Sequence, residues 1–272
     1  MRRFKLTNGE GRTFDLMRLD AFFHAPAGFG FSRSISALRA GEAWLTQEDE
    51  PQQPAPSGEL IFAGYEQYEE FCAFIAEGGL SLWYAPRSTW YSALCIVTSL
   101  AKSEIETSRR LICAVSFLLE SAWTRREKLE IETDQGGKIY AYTYPYVYGS
   151  PYGGSYVVQN DTQRDAALRL TIFGPVENPS WSVTNSGTVR RGRVKAAVAM
   201  GNKIVVDSSD GAMELAEYTN ENAFVRDLYG EGDFSTVRFV RAPPGESVVS
   251  FEQEGGSAIN AAVEVTFYAD TV

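Results

Sequence analysis

The chain of 272 residues holds one histidine, His24, beside 14 tyrosines and 16 phenylalanines. Two-histidine metal sites and histidine proton shuttles are thereby excluded. A catalytic triad finds no support either, because no G-x-S-x-G elbow exists and His24 follows Phe22-Phe23, an aromatic-packed or surface setting. Cysteine is scarce too: Cys72, Cys95 and Cys113 form no C-x-x-C pair, and each sits in an apolar stretch. They read as free, buried thiols of a reducing compartment, without zinc or redox chemistry. Positive charge is in deficit, with 25 Lys+Arg against 35 Asp+Glu and a net charge of -10. That balance argues against a basic duplex-binding face. Long apolar runs are missing, since Leu111 to Leu119 is broken by Ser116 and falls short of the ~18 residues that cross a bilayer. Met1-Arg2-Arg3-Phe4-Lys5 continues into polar Leu6-Thr7-Asn8-Gly9-Glu10, so no signal peptide is expected and the protein reads as soluble and made in the cytoplasm. The sequon Asn160-Asp161-Thr162 is then an accident of composition.

What is present is a globular composition, 44% hydrophobic and 22% charged, patterned mostly at the period of strands. Residues 1 to 63 carry short apolar groups punctuated by Gly and Pro. Gln47 to Ser57, with Pro51, Pro54 and Pro56, reads as an exposed loop or arm. From Tyr65 to Glu77 the apolar residues Tyr65, Tyr68, Phe71, Cys72 and Ile75 recur at three and four, which predicts one amphipathic helix closed by Gly78-Gly79. Strands are expected at Leu80 to Tyr84, Trp90 to Leu100, a long buried Leu111 to Trp123, and about Lys128 to Thr133. Beyond Val157 only strand signals appear: Leu168 to Ile172, Lys203 to Val206, Ala212 to Tyr218, Val237 to Val240, Ser247 to Glu252 and the alternating Val263, Val265, Phe267. The fold class is therefore mainly β: an α+β domain over residues 1–150 and an antiparallel β-sandwich over 151–272.

No chemistry emerges from the motifs. Gly28-Phe29-Gly30 lacks a third glycine, no phosphate loop exists, and Asp207-Ser208-Ser209-Asp210-Gly211 is a hairpin turn without the closing glutamate of a calcium loop. Catalytic residues, cofactors and metals are expected to be none. Arg190, Arg191, Arg193 and Lys195 form one basic cluster, read as the solvated edge of a strand more than a phosphate or acidic-partner patch. The sharpest constellation is Tyr140, Tyr142, Tyr144, Tyr146 and Tyr148, strictly alternating around Pro145. On one face of an edge strand they could cover the core, meet another subunit, or stack on sugar. A carbohydrate-binding sandwich, with these tyrosines and Trp181 as platform, is the alternative to an interaction protein.

The succession of short motifs carries a resemblance. Leu6-Thr7-Asn8-Gly9, Phe14-Asp15-Leu16, Pro26-Ala27-Gly28-Phe29-Gly30-Phe31, Gly58-Glu59-Leu60-Ile61-Phe62 running into Tyr65 to Phe71, and Leu82-Trp83-Tyr84 lie in the first half. Thr171-Ile172-Phe173-Gly174, Asn178-Pro179, Trp181, Ile204 to Asp207 and Pro243-Pro244-Gly245-Glu246 follow in the second. In this order they resemble the distal tail proteins of long-tailed bacteriophages. The resemblance implies a non-enzymatic virion protein assembled in the host cytoplasm. It would form a ring, usually a homohexamer, of N-terminal belt domains with galectin-like sandwiches projecting outward. Its partners would be copies of itself, the tail tube protein, the tail-tip hub protein and receptor-binding proteins, with DNA passing unbound through the lumen. Contacts are then expected on the helix, through Tyr65, Tyr68, Phe71 and Ile75, on the Gln47 to Ser57 loop, and on the tyrosine segment. Acidic residues lining the bore would keep DNA from sticking.

Overall fold

The structure, a computed structural model, describes residues 2–105, 109–129, 155–254 and 259–272. It divides into two compact units, Met1–Arg125 with Ala269–Val272, and Arg126–Tyr268. The boundary expected at residue 150 lies outside the described residues, as does the whole tyrosine segment Tyr140 to Tyr148.

The first unit is an antiparallel ladder running Thr13–Asp15, Arg3–Thr7, Ser81–Ala85, Tyr91–Ala101, Leu111–Leu119, Ser57–Phe62, Ala21–Ala27. Strict alternation builds its core. Leu111, Cys113, Val115, Phe117 and Leu119 are all buried, because side chains two apart share one face of a strand. The long strand expected to Trp123 instead stops at Leu119. Glu120-Ser121-Ala122 turns the chain, and Trp123–Leu129 returns against Tyr91–Ala101 through the pair Thr124 and Ser92.

One helix, Tyr65–Ala76, lays Phe71 and Phe74 on this core. Arg18 fixes it from outside, its guanidinium reaching Asp20 at 2.8 Å and Glu70 at 3.0 Å. Gly78 and Gly79 both take positive φ after the helix, and the carbonyl of Gly78 accepts a bond from the Gly9 amide. A side chain at residue 79 would press on Gly9, so the second glycine serves close approach as well as backbone freedom. Ala269 and Val272 also pack against this core, so the first unit draws on residues from both ends of the sequence given.

The second unit is a sandwich. One sheet orders Phe224–Asp227, Glu214–Thr219, Asn202–Asp207, Ala166–Phe173 and Asn260–Ala269, with Arg241–Ala242 beside Ala166-Ala167. The other orders Tyr156–Asn160, Gly245–Glu252, Ser180–Asn185 and Thr188–Arg193. Their facing residues, among them Leu168, Leu170, Ile204, Trp181, Phe251 and Phe267, form one buried cluster. Val237 to Val240, expected as a strand, is irregular, and the strand there is only Arg241–Ala242. The Asp207 carboxylate accepts the Ser209 amide at 2.8 Å, which is the turn chemistry read from the sequence.

Candidate assembly surfaces

One element of the first unit has no core of its own. Arg33–Ala40 and Ala43–Pro51 form a separate two-stranded hairpin that pairs with nothing else among the described residues. It closes through Gly41-Glu42, with positive φ at Gly41, the arrangement of a type II′ turn whose twist suits strand pairing. Gln47 is one extra residue between the pairs Ser36 with Glu48 and Ala37 with Thr46, a bulge that bends the ribbon. Gln47 to Pro51, part of the stretch expected as an exposed loop or arm, are thus strand. Two local neighbours suffice for a ribbon, and Pro51 sits at its end, where a lost amide costs no ladder bond.

Apart from half-buried Ser36, every side chain from Arg33 to Gln47 is exposed. By register, Ile35, Ala37 and Trp44 share one face with Arg39, while Leu38 and Leu45 sit opposite each other on the other face. Trp44 is 69% exposed and Ile35 65%. A hairpin of two strands is marginal in water by itself, and apolar groups on both faces call for cover.

A second open surface lies where the helix meets the sheet. Ile75, Leu80, Leu94, Ile96, Val97 and Glu120 line a groove of about 400 Å³. Leu94 and Ile96 point outward from their strand and are 53% and 42% exposed. The Glu120 carboxylate is exposed and has no basic partner among the described residues.

The expected contact residues on the helix separate into different roles. Phe71 is fully buried in its own unit, edge-on to Phe14 at 5.1 Å, and presents no surface to a partner. Its place at the helix centre, facing the sheet, corrects the expectation that it lies at a contact. Tyr68 is half-buried with its ring edge-on to Phe62. Tyr65 donates its hydroxyl to Glu104 at 2.6 Å while the Lys102 ammonium stands 4.8 Å above its ring. That bond to a carboxylate holds the Tyr65 proton and pushes its pKa up. Ile75 alone of the four lines the groove.

In the second unit Trp181 is fully buried, its indole donating to the Arg238 carbonyl at 3.1 Å, so it cannot serve as a sugar platform. The inward position in the strand Ser180–Asn185 overrides the aromatic signal. The basic cluster is the exposed edge strand Thr188–Arg193 and its extension, with Arg190 paired to Asp165 at 3.2 Å and Arg193 to Glu254 at 3.4 Å. Asn160 is buried and bonded to the carbonyls of Arg164 and Ala242. Sequence reasoning missed an exposed aromatic group here: the Arg238 guanidinium lies 4.3 Å from the rings of both Tyr229 and Phe234. Among the described residues no cluster of three His, Cys, Asp or Glu could hold a metal. His24 is exposed beside Glu59 at 3.3 Å.

The three thiols are free, with Cys95 and Cys113 buried and Cys72 half-buried. Burial pushes Cys95 up to about 12 from 9.0, and Cys113 upward as well. Under native conditions a thiol reagent should modify Cys72 first, and equal rates at all three sites would contradict this placement. The unfolded chain releases its thiol protons near 9.0, whereas folded Cys95 keeps its proton to about 12. Its contribution to stability is therefore complete below that lower value and is lost as pH rises towards the upper one. Urea midpoints measured across this interval should fall with pH.

Residues 3–119 match the family described as distal tail protein, N-terminal domain. No curated protein is significantly similar in sequence. Among solved structures, a chain of the phage p2 baseplate in its activated conformation with strontium matches with TM-score 0.64 and 14% identity over 100% of both chains. The SPP1 distal tail protein, whose crystal structure is described as a paradigm of the hub adsorption apparatus in phages infecting Gram-positive hosts, matches with TM-score 0.63 and 8% identity over 97% of this chain and 98% of that one. Those likenesses show the fold of the whole chain, and by sequence residues 3–119 carry the N-terminal domain of the distal tail protein family.

Proposed function

We propose that this chain is a structural subunit of a phage tail tip that works by contact and not by catalysis. Several copies, six in the usual ring of such proteins, join the end of the tail tube to the tip hub and the receptor-binding proteins, and DNA passes through the bore. The observation that carries the reading is the family match over residues 3–119, the unit that also bears the hairpin and the groove. The likeness of the whole fold to a baseplate chain and to a hub protein supports it. The domain division near residue 150, and a contact role for Tyr65, Ile75 and the tyrosine segment, belong to the same proposal. With a net charge of -10, carboxylates facing the bore would repel phosphate and let DNA slide. A bore lined chiefly by Lys and Arg would sink that part.

Gold-labelled antibody against the chain tests the reading on tailed particles that carry it. Label is expected at the tail end distal to the capsid. Label on the capsid or along the whole tube would overturn the assignment.

A further inference from the structure

Among the described residues, two surfaces of the first unit are left uncovered at the same time. The hairpin Arg33–Pro51 exposes apolar groups on both faces, and the groove beside the helix exposes Leu94 and Ile96. Within one chain neither covers the other. They differ in shape, one a projecting ribbon and one a recess, so a single two-fold contact between like patches would not satisfy both. A head-to-tail contact satisfies both in every copy, and when its rotation closes it makes a ring.

The chemistry of the two surfaces is complementary. One hairpin face sets Trp44, Ile35 and Ala37 beside the Arg39 guanidinium, which among the described residues pairs with exposed Glu42 at 3.7 Å and donates to the Gly41 carbonyl. The side chains that line the groove are apolar apart from Glu120, whose carboxylate has no basic partner among the described residues. Tryptophan and arginine are the side chains that most often dominate a contact once water is excluded.

We infer that the hairpin of one copy seats its Trp44 face in the Ile75, Leu94 and Ile96 groove of a second copy, with Arg39 meeting Glu120. This rests on the reading that the chain assembles with itself. It names the two halves of that contact and makes them different, so that each copy gives an arm and receives one.

The test uses full-length protein and light scattering coupled to size separation, with circular dichroism to verify folding. Wild type is expected to form a closed oligomer. Trp44→Ser spoils the arm and Ile96→Glu spoils the groove. Both positions are exposed, so the monomer fold should tolerate them, and each change should weaken association by about 30-fold or more. Mixing the two variants is the decisive measurement. One intact arm and one intact groove remain, so the mixture should give one-to-one dimers and nothing larger. Arg39→Glu or Glu120→Arg alone should weaken assembly, and the pair together should recover it.

The inference is overturned if either Trp44→Ser or Ile96→Glu assembles like wild type, if the mixture yields full rings or no dimer, or if wild type stays monomeric at every soluble concentration. The tail-tip reading stands or falls separately on the gold label.

Discussion

Phe4→Ala is expected to destabilise the first unit by about 3–5 kcal/mol, the cost of deleting a buried aromatic ring and leaving its cavity. Phe4 is 1% exposed and stands at the centre of an aromatic cluster. Its ring is stacked on Tyr84 at 4.8 Å, edge-on to Phe23 at 5.2 Å, and 5.4 Å from Phe29. Each such pair adds about 0.5–1.5 kcal/mol beyond the area it buries. The cluster continues through Phe23 to Phe117 and through Tyr84 to Trp123, so the hole opens where five strands converge and cannot collapse without moving several of them. Thermal melting should show a drop of roughly 10–20 °C for a unit of this size. Phe4→Leu should recover much of the loss, since it restores volume without the ring geometry. A midpoint for Phe4→Ala no lower than that of an exposed change such as Thr13→Ala would contradict the packing described.

Gly192→Val should strongly destabilise the sandwich. Gly192 pairs across the ladder with Trp181, and the indole lies against it. A Cβ built there would stand 2.5 Å from Cε2 and 2.8 Å from Cζ2 of that ring, closer than side-chain carbons approach anything. The ring has no retreat. Phe251 pairs with Trp181 from the opposite strand, and the indole nitrogen is held by the Arg238 carbonyl. Overpacking costs about 1–3 kcal/mol, and if the indole yields, its buried hydrogen bond is lost for about as much again. Urea unfolding followed by tryptophan emission measures the change. Trp181→Leu in the same chain should make Gly192→Val far less harmful, a coupling that a double-mutant cycle would register. Additive losses from the two changes would show that the contact does not carry the effect.

The helix and most strands were legible because burial in each follows one period. Phe71 and Ile75 recur at the helical spacing, and Leu111 to Leu119 alternates without a break. The hairpin was not, for a reason specific to its residues. Ile35 and Trp44 lie on one face, Leu38 and Leu45 on the other, so its apolar pattern has no period of two to detect. Its turn, Ala40-Gly41-Glu42-Ala43, carries one glycine where the strongest signals carry Asn-Gly or Asp-Gly. An element whose side chains stay exposed among the described residues leaves no imprint of burial on its sequence. The same logic hid the groove, because Leu94 and Ile96 looked like ordinary strand residues until their neighbours were placed. Trp181 misled in the opposite direction: an aromatic in a small polar stretch reads as a platform, and only the ladder partners Gly192 and Phe251 reveal it as core.

The return of Ala269 and Val272 to the first core sets an order of events during synthesis. Domains generally fold as the ribosome releases them, the earlier before the later. Here the residues that complete the first unit emerge after all of Arg126–Tyr268. A nascent chain can therefore build most of the ladder early, and the contacts of Ala269 and Val272 are added only once the sandwich has been translated. Truncated products would lack the contacts that Ala269 and Val272 make with that core.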